Sequence, residues 1–167
     1  MGQSIFPIPA TTSTSVPNWQ LLQTATPSGV GSVTFSGLSA YSKYRITLFC
    51  SLANTSAPFQ LKVNNGTAST SWGQELTGTT LANRGPYQPY SLIESLSMAS
   101  GVQGWVEIDA ALTTNHVIKS SFFGNGTTAG VNTSDGYSTD GVITSLVITS
   151  SGAATLFSVV MTLLGAN

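Results

Sequence analysis

Charge is what this chain has least of. Lys, Arg, Asp and Glu make up 7% of its 167 residues, against about 25% in an ordinary soluble domain. The basic residues Lys43, Arg45, Lys62, Arg84 and Lys119 are scattered, and formal net charge is −1. Such a set neutralises phosphates poorly, which argues against a nucleic-acid partner. Cys50 is the only cysteine, so no disulfide can form within the chain. On an apolar strand face it reads as a buried, inert thiol. His116 is the only histidine, which leaves no Cys/His cluster to bind zinc. Long hydrophobic runs are missing too. The most apolar stretch, 156–164, is far too short to cross a bilayer, so no membrane partner is expected. The opening MGQSIFPIPATT lacks a basic region, and Pro7 and Pro9 break its apolar run, so no secretory signal is predicted. Phe6 stands where a myristoylation signal needs Ser or Thr.

Ser and Thr fill the gap, with more than a quarter of all positions. Charges ordinarily keep the surface of a free monomer away from its neighbours. A chain that does without them, and has no spanning segment, predicts work inside a fixed assembly.

Two pieces can be distinguished along the chain. Residues 1–17 read as an extended N-terminal arm. Ile5, Phe6 and Ile8 stand among Pro7, Pro9 and Pro17, which favour an extended backbone. Fully extended, the arm reaches roughly 55 Å at about 3.3 Å per residue, long enough to cross onto a neighbour, the alternative being that it packs on its own domain. Ile5, Phe6, Pro7, Ile8 and Pro9 are its candidate anchors. Residues 18–167 read as one β-sandwich domain. Apolar and polar residues alternate over 42–52, where Tyr44, Ile46, Leu48, Cys50 and Leu52 share a face and Phe49 breaks the pattern. The same period runs through Phe59, Leu61 and Val63. It returns in Val102, Val106, Ile108, Ala110 and Leu112, opposite Gln103, Trp105, Glu107 and Asp109. Further strands are predicted at 19–24, 33–37, 87–96, 117–123, 142–149 and 156–164.

Eight to ten short strands with no helical period predict an all-β fold, a single antiparallel β-sandwich of jelly-roll type. The last strand is apolar on both faces. Phe157, Val159, Met161 and Leu163 form one face and Leu156, Val160 and Leu164 the other, so the second face is expected to be covered by a neighbouring subunit or by a loop of the same chain. Stretches 73–86 and 124–136 read as long loops, either binding surfaces or ordinary connections. The sequons at Asn54, Asn65, Asn125 and Asn132 read as turns, with Asn65-Gly66 and Asn125-Gly126 as natural hairpin residues.

Signatures of catalysis are thin. No nucleophile elbow, P-loop or dinucleotide fingerprint is present, and no catalytic residue, metal ligand or cofactor is assigned. Asp135 and Asp140 flank a loop but lack further charged ligands for calcium. Trp105, Glu107 and Asp109 share one strand face, and paired carboxylates are the machinery of glycoside hydrolysis. The string Glu107-Ile108-Asp109 resembles the active strand of laminarinase-like glycoside hydrolases, which are themselves jelly rolls. That resemblance implies a second glutamate two residues on, where this chain has Ala111. Sugar binding without catalysis has more support. Trp19, Trp72, Trp105, Tyr41, Tyr87, Tyr90 and Tyr137 offer flat faces for pyranose rings, or else plug the ends of the core.

The stretches Trp19-Gln-Leu-Leu-Gln-Thr-Ala-Thr, Gly31-Ser-Val-Thr-Phe-Ser-Gly-Leu and Tyr41-Ser-Lys-Tyr-Arg-Ile-Thr-Leu, with the closing strand ending on Leu164-Gly165, resemble small β-sandwich virion proteins of tailed bacteriophages. The resemblance covers residues 19–165 in pattern and carries no invariant signature. It implies a structural protein located in the virion, a homotrimer bound to the major capsid protein as a decoration or cement protein. The alternative it implies is a fibre head that binds a surface glycan. The arm, with no heptad stalk beside it, favours the capsid role.

Overall fold

The computed structural model describes residues 17–38, 41–50, 59–77, 79–87, 90–93, 101–125, 129–150 and 159–167. The expected arm anchors Ile5, Phe6, Pro7, Ile8 and Pro9, and Leu156 of the predicted strand 156–164, lie outside these residues. Among the described residues the elements are all strands. In chain order they are β1 (Gln20–Ala25), β2 (Ser32–Ser36), β3 (Lys43–Cys50), β4 (Phe59–Val63), β5 (Ser69–Thr77) and β6 (Thr80–Tyr87), then β7 (Tyr90–Ile93), β8 (Val102–Asp109), β9 (His116–Asn125), β10 (Ala129–Ser138), β11 (Ser145–Ser150) and β12 (Val159–Ala166).

The strands form two antiparallel sheets, one of eight in the order β1-β12-β3-β8-β9-β10-β5-β6 and one of four in the order β2-β11-β4-β7. Their inner faces share a core. Tyr44, Ile46 and Leu48 of β3, Val106 and Ile108 of β8, and Met161 and Leu163 of β12 meet Phe35, Leu61, Leu146 and Ile148 of the small sheet. The period-2 pattern is what places them there, because alternate side chains of a strand leave opposite faces. Phe49, the exception read from sequence, does point outward.

Set aside β5–β6 and β9–β10, and the eight remaining strands lie as β1-β12-β3-β8 and β2-β11-β4-β7. The chain crosses from one sheet to the other at almost every step of this framework. The two extra hairpins continue the large sheet beyond β8. They correct the reading of 73–86 and 124–136 as long loops, because β5 pairs with β10 from Ser69 to Thr77 and β9 with β10 from His116 to Asn125. Their inner face hides the period. Ser69, Ser71, Ser120, Ser134 and Ser138 are buried there, where an aliphatic residue would have announced a strand.

Tyr90 of β7 explains these small residues. It is fully buried, and its hydroxyl donates to the Ser134 carbonyl at 2.6 Å and lies 3.3 Å from the Ser120 hydroxyl. At Gly136 a Cβ would collide with the Thr70 carbonyl and stand 2.9 Å from the Tyr90 ring. Burial pushes the Tyr90 hydroxyl well above the usual phenol range; the Ser120 hydrogen bond lowers it in part and Asp135 adds to the rise.

Several boundaries move. The predicted strand 87–96 is divided, with Tyr87 closing β6 and Tyr90–Ile93 joining the other sheet as β7. Leu112, expected on the buried face, lies beyond the end of β8 and is exposed. The turn expected at Asn65-Gly66 is one residue earlier. Asn64 and Asn65 both take positive φ, at 51° and 58°, and the Gly66 amide donates to the Val63 carbonyl at 2.8 Å. That is the geometry of a tight turn with two left-handed residues, which Asn tolerates. Asn132, also read as a turn residue, sits inside β10. Asn64 does more than turn the chain. Its amide donates to the Asp140 and Val142 carbonyls, both at 2.8 Å, and its carbonyl accepts from the Thr144 amide at 2.8 Å and the Ser145 amide at 3.1 Å. It thereby pins the 139–144 connection at the start of β11.

Candidate functional site

The outer face of the eight-stranded sheet gathers the residues able to meet a partner. Strand register sets them in rows running across the strands. One row is charged with alternating sign: Arg45 on β3, Glu107 on β8, Lys119 on β9 and Asp135 on β10, with Trp72 next on β5. Lys43 and Asp109 are paired one step along the strands from it. The chain has five basic and six acidic residues in all, and six of these stand on this one face. Opposite charges facing each other across a ladder stabilise it modestly and leave the face with no net charge.

Arg45 organises the centre of the face. Its guanidinium donates to Glu107 Oε2 at 2.6 and 3.1 Å. The same group lies 4.7 Å from the ring centroid of Trp19 and 5.7 Å from that of Trp105, within cation–π range of both. Beside it Lys43, Trp105, Glu107, Asp109, Val117 and Lys119 line an open depression of about 300 Å³. Another, of about 270 Å³, is lined by Trp72, Gly73, Gln74, Thr133 and Asp135. At its edge the Trp72 and Tyr137 rings sit 6.1 Å apart at 31°. Both rings are partly exposed.

A further row, at the far end of the same strands, is apolar. Val160 on β12 is followed by Phe49 on β3, Gln103 on β8, Phe123 on β9, Val131 on β10, Leu76 on β5 and Leu81 on β6. Phe49 is 50% exposed, Val160 44%, Phe123 42%, Leu76 41% and Leu81 62%. Single exposed apolar residues are ordinary, but a row of them broken only by Gln103 marks a contact surface.

The expected site residues fall on this face only in part. Val160 opens the apolar row. Leu164, half-buried, pairs with Arg45 and so lies two rows away. The two share a face as expected, but Val160 remains open to solvent. Phe123, Leu76 and Leu81 were missed. Phe49 was visible in sequence as a break in the alternation; the others belong to segments read as loops or loop edges.

Glu107 and Asp109 share the face as foreseen. Glu107 is held by Arg45, and Asp109 accepts from the Ala111 amide at 3.1 Å. Asp135 and Asp140 are not brought together. Asp135 faces outward from the middle of β10, whereas Asp140 accepts from the Ser138 hydroxyl at 2.8 Å beyond its end. His116 is buried, with Nε2 bonded to the Gly141 carbonyl, so it ties the 139–144 connection to β9 and does not face the depressions. Comparison with protein-family models and with curated protein sequences finds no match for the chain.

Proposed function

We propose that this chain is a structural protein of a bacteriophage virion, most simply a capsid decoration or cement protein. Its role would be adhesive, to bind the head shell from outside and raise the cost of separating shell subunits. The observation that carries this reading is the outer face of the large sheet, where exposed apolar side chains from five strands, Val160, Phe49, Phe123, Leu76 and Leu81, share one row in a chain with almost no charge. Such a surface is suited to being covered in an assembly. The strand order supports the same reading. In this reading the framework β1-β12-β3-β8 and β2-β11-β4-β7 would correspond to the two sheets of a jelly roll, an architecture used by viral capsid proteins. The partners would be the major capsid protein and further copies of the chain, expected as a homotrimer, with the arm residues Ile5, Phe6, Pro7, Ile8 and Pro9 as an additional clamp. The test is co-sedimentation of the purified protein with shells lacking it. Binding at a fixed ratio per shell subunit supports the reading, and a chain that stays in the supernatant defeats it. Deleting residues 1–17 should then leave a folded sandwich that no longer decorates shells.

One observation favours a second reading, a glycan-binding fibre module. The exposed Trp72 and Tyr137 rings, tilted 31° to each other and flanked by Asp135, Gln74 and Thr133, offer two aromatic faces with hydrogen-bonding groups beside them. This reading predicts saturable binding of a surface glycan that Trp72→Ala abolishes. The hydrolase alternative predicts turnover lost in Glu107→Gln.

A further inference from the structure

The charged row on the large sheet has a symmetry with a consequence for what covers the face. Read from β3 to β10 its signs are plus, minus, plus, minus, from Arg45, Glu107, Lys119 and Asp135. Reversing such a row exchanges the signs at every position. The row also stands at the middle of the sheet, with four strands on each side of the β8–β9 seam. We propose that a second copy of this chain covers the face, related by a two-fold axis that runs parallel to the strands over that seam. The inference goes beyond the virion reading and stands without it.

Under that axis β8 faces β9 of the second copy, β3 faces β10 and β12 faces β5. Arg45 then lies opposite Asp135 of the second copy and Glu107 opposite its Lys119, and each pair occurs twice. The apolar row meets itself in the same operation. Val160 falls opposite Leu76 of the second copy, Phe49 opposite Val131, and Gln103 opposite Phe123. A two-fold axis along the row would instead set Arg45 over Arg45 and Lys119 over Lys119, which like-charge repulsion disfavours. The only ion pair within this row among the described residues is Arg45–Glu107. Lys119 and Asp135 are exposed, with no ion pair among the described residues, and are free to reach across. Two twisted sheets stack face to face about 10 Å apart with strands nearly aligned, so both copies can keep their twist. Six strands about 4.8 Å apart and four rows about 6.8 Å apart cover roughly 780 Å² on each copy. The total, about 1,560 Å², is the size of a standard stable interface. An isologous contact of this kind closes on itself. A three-fold contact elsewhere on the chain would combine with it into six copies.

Sedimentation velocity on the full chain, from about 1 to 100 μM, reads the outcome. The expected result is an assembly with an even number of copies. Lys119→Glu should halve its mass, because each such copy sets two acidic groups together on each side of the axis. Glu107→Lys should do the same with basic groups. An equimolar mixture of the two variants should recover the wild-type mass, since each then supplies the charge the other lacks. Phe49→Ser, at an exposed position that does not disturb the charges, should also halve the mass while leaving far-UV circular dichroism unchanged. A monomer or a simple trimer at 100 μM overturns the proposal, as does a mass that Lys119→Glu and Phe49→Ser leave unaltered. Variants that dissociate separately but fail to recover on mixing also count against the two-fold register. Failure to bind shells, by contrast, would defeat the virion reading and leave this result untouched.

Discussion

The two halves of the large sheet solve the same packing problem with different side chains. The framework half, β1-β12-β3-β8, turns Tyr44, Ile46, Leu48, Val106, Ile108, Met161 and Leu163 inward. The added half, β9-β10-β5-β6, turns Ile118 and Phe122 of β9 inward, but beyond β9 mostly serine and glycine, which pack around the Tyr90 ring. Stability in the first half comes from apolar area removed from water. In the second it comes from a close fit of backbone to Tyr90 and from hydrogen bonds inside the layer. Deep truncation should therefore be felt most in the framework half, whereas beyond β9 the added half should be sensitive to a single added methyl, as Gly104 also is where β8 meets β9. Ile46→Ala leaves a cavity between the sheets and should cost about 2–5 kcal/mol in urea unfolding. Gly136→Ala should cost about 1–3 kcal/mol, because the new Cβ collides with the Thr70 carbonyl and the Tyr90 ring. If Gly136→Ala were neutral, the tight fit assigned to the added half would be wrong.

The same contrast governs what could be read in advance. β3 and β8 were legible because Tyr44-Ile46-Leu48 and Val102-Val106-Ile108 alternate with polar residues. β5, β6 and β10 were not, because Ser69, Ser71, Ser134 and Ser138 are small and polar on the buried side, whereas Trp72, Leu76 and Tyr137 are large on the exposed side. A pattern rule that expects apolar residues inside takes such a strand for a loop. The site suffered the same way. Its charges on β8 were seen, but the row linking Arg45, Glu107, Lys119 and Asp135 depends on three successive strand pairings, β3 with β8, β8 with β9 and β9 with β10, that bring distant positions of the chain into line. Nothing within a single segment encodes that order.

Tyr90 gives the comparison a pH axis. Its hydroxyl is held above the ordinary phenol value of about 10, so the fold favours the protonated form. The stabilisation is therefore complete below about pH 10 and is lost as pH rises towards the folded-state value. Tyr90→Phe removes the donor to the Ser134 carbonyl and should cost about 1–2 kcal/mol at neutral pH. That cost should shrink above about pH 10, where the wild type must unfold or ionise a buried phenol. Thermal melts of both proteins between pH 7 and 11 check this. A constant difference across the range would mean that Tyr90 ionises without strain.

The smallest effect is expected outside both layers. The Arg45 and Glu107 side chains are 36% and 30% exposed, and water screens their 2.6 Å ion pair. Glu107→Gln keeps a hydrogen-bond acceptor for the guanidinium and leaves the Trp19 and Trp105 rings around it. It should cost no more than about 1 kcal/mol, whichever half is probed. A larger loss would mean that the outer face is part of the stabilising core. A small loss would leave this face as a surface layer laid over both halves, whose charges act mainly on what docks there. The same variant removes one member of each Glu107–Lys119 pair proposed across the two-fold axis. Weaker self-association with almost unchanged stability is therefore the combination expected of it.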